Sequence, residues 1–87
     1  MDIGRAVLEI RKENQIKQVD LADKCGLSVV ALCNIEKGRN KPSFKTVELL
    51  ASQLGVSTGY LIFRALDEED IEPDKRNVFQ VMKRLLI

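Results

Sequence analysis

Along the first third of the chain, apolar residues return every three or four positions. Ile3, Ala6, Val7 and Ile10 are spaced for one face of a helix, which predicts a first helix over residues 2–13, begun at Asp2 and closed near Asn14 and Gln15. Two shorter amphipathic stretches follow. In the first, Leu21, Ala22 and Cys25 share a face, with Asp20, Asp23 and Lys24 opposite. In the second, Leu32 and Ile35 form the inward stripe beside Ala31, while Val30, Cys33, Asn34 and Lys37 point away. Cys25-Gly26-Leu27-Ser28 joins them: Gly26 permits the positive φ of a sharp turn, and Ser28 stands where it can cap the next helix. Ser43 is placed to cap a fourth helix, in which Phe44, Val47, Leu50, Ala51 and Leu54 line one face up to Gly55. Ser57 is placed to cap a fifth, carrying Tyr60, Leu61 and Phe63 to about Leu66. Nothing alternates with the two-residue period of a strand, so the expected class is all-α. The two middle helices, each of roughly eight residues, are too short to persist alone and must bury their stripes against the others.

After Leu66 the pattern changes. Asp67-Glu68-Glu69-Asp70-Ile71-Glu72-Pro73-Asp74 is acidic and bounded by proline, which predicts a linker or turn, with Asp74 able to cap a last helix. Nothing apolar surrounds these carboxylates to suit them to acid-base work. In the last helix Val78, Phe79, Val81, Met82, Leu85 and Leu86 spread over a wide apolar arc that leaves only Gln80, Lys83 and Arg84 polar. Such an arc must be covered by the chain's own core, by a second copy, or by a different protein. Leu49, opposite the buried stripe of the fourth helix, is a second apolar residue without an evident home.

Composition narrows the chemistry. A chain of 87 residues holds one domain, whose folding buries about 60–65% of its unfolded surface. Histidine is absent, which removes the commonest general base and metal ligand. Cys25 and Cys33 are the only thiols and cannot complete a four-ligand zinc site; Cys25 reads as core and Cys33 as a small outward residue. No catalytic site, metal or cofactor is expected. Neither a leader nor a membrane-spanning apolar run is evident, so the expected location is the cytoplasm, away from membranes. The net charge of +1 conceals a division: residues 1–64 hold ten Lys/Arg against seven Asp/Glu, and residues 65–87 hold four against six. Though the whole is less basic than many nucleic-acid domains, Lys37, Arg39, Lys41 and Lys45 cluster with no acidic residue among them.

Several fixed spacings then agree together: Gln18, Leu21-Ala22, Gly26-Leu27-Ser28, Leu32, Ile35-Glu36, Gly38, Pro42-Ser43, and Leu50-Ala51 before Leu54-Gly55-Val56-Ser57. Through them the stretch from about Ile3 to Phe63 resembles the phage-repressor and Cro (Xre-type) helix-turn-helix family. The resemblance implies a compact five-helix repressor-like bundle over residues 1–66, with helices 2 and 3 as the helix-turn-helix. An acidic linker at 67–74 and an extra C-terminal amphipathic helix at 75–87, self-packing or dimerising, would follow.

It also implies a sequence-specific regulator of transcription, a repressor, that binds double-stranded DNA. The first motif helix would lie across the backbone and the second, at about 29–37, would enter the major groove. Matched by position, Gln18, Val29, Val30 and Asn34 become the base-reading residues, with Cys33 adjacent. Asn34 can pair bidentately with adenine, worth about 1–3 kcal/mol of discrimination, and Val30 can touch a thymine methyl, so the site should lean to A·T. Gln18 can hold a phosphate or brace its neighbours. Lys17, Lys37, Arg39, Lys41 and Lys45, with Ser43 at the start of the fourth helix, become the phosphate contacts. Arg11 and Glu36 are implied to pair with each other. Two half-sites imply a homodimer, for which Leu49, Val78, Phe79, Met82, Leu85 and Leu86 are the candidate surface.

Four positions depart from the family pattern. Val29 and Val30 stand where Gln, Arg, Ser or Thr are common, Gln15 where glycine is common, and Lys17 where a capping Ser or Thr is common. The valines leave room for a protein-interaction module on the same fold that has lost DNA, or an antitoxin-type regulator with a protein partner.

Overall fold

Each periodic segment becomes a helix. The computed structural model describes residues 1–87 and contains α1 (Ile3–Glu13), α2 (Gln18–Lys24), α3 (Val29–Glu36), α4 (Phe44–Leu54), α5 (Thr58–Ala65) and α6 (Arg76–Leu86), with 3-10 turns at Glu68–Asp70 and Pro73–Lys75 and no strand. Capping chemistry sets most of the starts. The Asp2 carboxylate accepts from Arg5 N at 3.0 Å, and the hydroxyls of Ser28, Ser43 and Ser57 accept from Ala31 N, Thr46 N and Tyr60 N at 3.0, 3.2 and 3.0 Å. Each such cap stabilises its helix by about 1 kcal/mol. Two helices lack such a cap: α6, after Lys75, and α2, whose N-cap Lys17 supplies no side-chain bond. Just before it, Gln15 takes φ 56°, the only non-glycine residue in the left-handed region.

The inward stripes meet in one core. Ala6, Val7 and Ile10 of α1, Leu21, Ala22 and Cys25 around α2, Leu32 of α3, Val47, Leu50, Ala51 and Leu54 of α4, and Leu61 and Ala65 of α5 are all buried together. Through them α1 packs on α3, α4 and α5, while α2 packs on α3 and α4. The short motif helices thus gain from tertiary burial the stability that their length denies them. An ion pair joins α1 to α5 as well: the buried Arg64 guanidinium donates to both oxygens of the exposed Glu13 carboxylate at 2.9 and 2.6 Å and to the Tyr60 hydroxyl at 3.2 Å.

Three expectations are corrected here. Phe44, placed in the buried stripe of the fourth helix, is 63% exposed. As the first residue of α4 it sits at the mouth of a groove of about 790 Å³ lined by Ile3, Pro42, Val47 and Ile62, beyond the reach of the core. Asp74 does not cap α6: it lies inside the Pro73–Lys75 turn, and the N-cap is Lys75, without a side-chain bond. Pro73, with its φ fixed near that of a helix, starts that turn one residue too early for Asp74 to occupy the cap. Phe79, expected in the pairing surface, is buried against this chain's own Phe63, ring centroids 5.7 Å apart and planes at 71°.

The acidic stretch is tied down along its length. Arg5 bonds Asp67 at 3.1 Å, Arg76 donates to the carbonyls of Glu68 and Ile71 at 2.9 and 3.1 Å, and Gln80 donates to the Glu68 carboxylate. The stretch is therefore a folded corner between α5 and α6.

Candidate nucleic-acid interface

Two contacts fix the aim of α3. Gly4 of α1 lies against the C-terminal end of α3 so closely that a Cβ there would stand 1.9 Å from the Ile35 carbonyl oxygen. One residue further on, the Glu36 carboxylate is buried and accepts three hydrogen bonds. Arg11 Nε and Nη2 donate at 2.8 and 3.0 Å, and Gln18 Nε2 donates at 2.8 Å. Arg11 also holds the Ile16 carbonyl at 3.0 Å, so a single carboxylate gathers α1, α2, α3 and the turn before α2. Such a pair is costly to desolvate and is stable only because its oxygens are so fully satisfied. The amide nitrogen of Gln18 is thus engaged by Glu36.

With its inner side so held, α3 presents the other side to solvent. Val30 is 69% exposed and Val29 42%; Asn34 and Cys33 are half-buried beside them, and Lys37 is exposed at the helix end. Val30, Asn34 and Lys37 recur at i, i+4 and i+7, one line along the rod. After α3 the chain reverses, and the Asn34 carbonyl accepts from the backbone N–H groups of Arg39 and Asn40 at 2.9 and 3.3 Å. That fold keeps the loop cations beside the rod. Lys37, Arg39, Lys41 and Lys45 are all exposed, and none has a carboxylate within ion-pair distance; the side-chain ion pairs of the chain engage Arg5, Arg11, Arg64 and Lys75 instead. Lys17, exposed at the start of α2, is also unpaired. Ser43 caps α4 between Lys41 and Lys45, so the first backbone N–H groups of an eleven-residue helix open among unpaired cations. Amide donors, helix dipole and ammonium groups together suit an anion.

The two thiols occupy different surroundings. Burial pushes the Cys25 thiol above its ordinary pKa and leaves it a small hydrophobe, whereas Cys33 lies beside the outward line of α3. No group of three or more His, Cys, Asp or Glu side chains is arranged to hold a metal ion, and no helix is long and apolar enough to cross a membrane. Sequence reasoning passed over Gly4 and Arg64. Gly4 left a signal, a glycine inside an otherwise good helical stripe, which marks close approach. Arg64 left little, because its partners Glu9 and Glu13 lie more than fifty residues away in the chain.

Comparison with known proteins agrees with this geometry. The family model HTH_3, described as Helix-turn-helix, matches residues 7–61. The "Immunity repressor protein" of Bacillus phage phi105 is 33% identical over 87 residues, covering 98% of this chain and 60% of the relative. From the same phage, the "ImmF control region 10 kDa protein" is 34% identical over 68% of this chain and 66% of its own length. The "HTH-type transcriptional regulator DdrOP3" of Deinococcus deserti is 32% identical over 71% of this chain and 48% of its own length. The chain therefore spans about half to two-thirds of these relatives. Among solved structures, the clp gene regulator ClgR from Corynebacterium glutamicum superposes with a TM-score of 0.72 over 97% of this chain and 82% of its own; at 19% identity it shows the fold alone. With well over half of its residues matched by the family model, and with a phage immunity repressor among its relatives, this chain belongs to the phage-repressor and Cro-like helix-turn-helix family.

Proposed function

We propose that this protein is a sequence-specific double-stranded DNA-binding regulator of transcription, acting as a repressor, which reads the major groove with α3. One observation carries the reading: a rod braced on its inner side, with Val30 and Asn34 on its free side, runs beside four exposed cations that no carboxylate neutralises. The names of the relatives, an immunity repressor and a transcriptional regulator, point the same way.

In this arrangement the cations position and the rod specifies. Lys37, Arg39, Lys41 and Lys45, with Lys17 and the amides after Ser43, hold phosphates. Asn34 pairs with adenine on N6 and N7, and Val29 and Val30 pack on thymine methyls, so the preferred site is rich in A·T. Glu36, Arg11 and Gln18 do not touch bases; they hold the rod at its angle. A chain seated so over an operator excludes other proteins from the same base pairs. A mobility shift on random duplex DNA across a salt series tests the reading. Neutralising about four phosphates per chain makes log affinity fall with log salt at a slope near −3.6. Arg39→Glu with Lys41→Glu abolishes the shift, and binding that survives the double reversal refutes the proposed phosphate rail.

The aliphatic pair Val29 and Val30 favours one second reading, a protein-interaction module on this fold. In that case wild-type protein gives no salt-dependent shift on any duplex.

A further inference from the structure

Two apolar side chains stay out of the core and meet elsewhere. Phe44 at the start of α4, exposed, and Ile62 of α5, half-buried, belong to no part of the buried cluster. Both line the groove of about 790 Å³, whose other apolar walls are Ile3 of α1, Ile35 of α3, Pro42 of the loop after α3, and Val47 of α4. That volume falls within the roughly 300–1,000 Å³ of small-molecule sites. A protein partner covers about 20–30 residues a side, far more than line this groove.

Charge on the rim selects the head group. Of the charged side chains there, Asp2 accepts from the Arg5 amide at 3.0 Å and Asp67 from the Arg5 guanidinium at 3.1 Å, whereas Lys41 has no carboxylate within ion-pair distance. A cationic ligand would have to compete with Arg5 for both acids. An anionic one finds Lys41 free. One ammonium balances a single negative charge, which suits a carboxylate better than a phosphate monoester carrying nearly two.

We propose that this groove binds a small amphipathic carboxylate, with its apolar body on Phe44, Ile62 and Ile3 and its head group on Lys41, and that its binding loosens the chain from DNA. The site itself needs no DNA. Its regulatory effect rests on the proposed function, because Lys41 cannot hold a ligand carboxylate and a DNA phosphate at once. By linkage, ligand and DNA then weaken each other to the same degree.

Calorimetric titration of the full chain with decanoate, kept below its micelle concentration, tests the site in the absence of DNA. One decanoate is expected per chain. Decylammonium binding to the wild type, and decanoate binding to Lys41→Gln, are each expected to be about tenfold weaker, the loss of one charge-assisted contact. Phe44→Ala, at an exposed position, is expected to weaken decanoate by about tenfold as well, with helical circular dichroism kept. Leu85→Glu, on the exposed apolar side of α6, is expected to leave decanoate binding unchanged. A wild-type chain that binds no decanoate, equal affinity for decylammonium, full affinity in Phe44→Ala, or binding lost in Leu85→Glu each overturns the site. In mobility shifts at saturating decanoate the salt slope is expected to be shallower by about 0.9, one phosphate contact fewer, and an unchanged slope overturns the regulatory effect. If decanoate binds as described but the chain shifts no DNA even without it, the site stands and the regulator reading fails; if the chain shifts DNA but binds no decanoate, the regulator reading stands and the site fails.

Discussion

Gly4 shows how much one missing side chain can decide. Because a Cβ would meet the Ile35 carbonyl at 1.9 Å, α1 and the end of α3 touch backbone to backbone, and no rotamer can relieve an added methyl. Gly4→Ala is expected to cost about 3 kcal/mol, the upper part of the range for overpacking, and to appear as a lowered midpoint in thermal melts. Since the helices must part where α3 is aimed, DNA affinity falls with it. Arg11 makes the complementary case. Arg11→Ala leaves the buried Glu36 with Gln18 as its remaining partner, a loss of about 3 kcal/mol for a broken buried pair. Urea denaturation measures it, and the preferred DNA sequence selected by the folded fraction is unchanged. A change of preference would mean that Arg11 takes part in readout.

At the scale of elements, α2 carries the weakest entry. Gln15 at φ 56° pays the left-handed cost of a side chain, and Lys17 leaves the first amides of α2 without a cap. Gln15→Gly is expected to stabilise by up to about 1 kcal/mol, and Lys17→Thr by about 0.5–1 kcal/mol, each read as a raised denaturation midpoint. Lys17→Thr also deletes a proposed phosphate contact, so its salt slope is shallower by about 0.9. Between α1 and α5, Arg64 holds the Glu13 carboxyl below its ordinary 4.5. A depressed carboxyl contributes stability that is present above that value and fades as the pH falls through the folded one. Wild-type denaturation midpoints should therefore drop more steeply than those of Glu13→Gln once the pH passes below 4.5.

The starts of α1, α3, α4 and α5 were legible because Asp2, Ser28, Ser43 and Ser57 are local signals, read within three residues of themselves. The outward line of Val30, Asn34 and Lys37 was legible for a similar reason, since periodicity reports a face. What periodicity does not report is how far the neighbouring helices extend, so Phe44 was assigned to a core that stops short of it. Nor does it identify which partner an apolar arc meets, and Phe79 separated from Val78 and Met82 only when the setting of α6 was seen. Arg64 and the commitment of Gln18 to Glu36 depend on contacts between distant segments, for which the chain carries no local mark.

Taken whole, the molecule is longer than it is wide. Its extents are 41 × 23 × 19 Å and its radius of gyration 13.3 Å, against about 12 Å for a compact chain of this length. Charge divides along the chain too, with free cations on the loop after α3 and carboxylates gathered at the corner before α6. Raising salt should therefore weaken DNA binding through the phosphate contacts while the apolar core is kept, so circular dichroism at high salt is expected to find a folded chain that no longer shifts DNA.

The eight residues of α3 keep two kinds of work apart. Leu32, Ile35 and Glu36 hold the rod to its body, while Val29, Val30 and Asn34 bond to no other side chain. A library randomised at those three outward positions would then keep its scaffold almost untouched, and new operator preferences could be selected from it without re-engineering the domain that presents them.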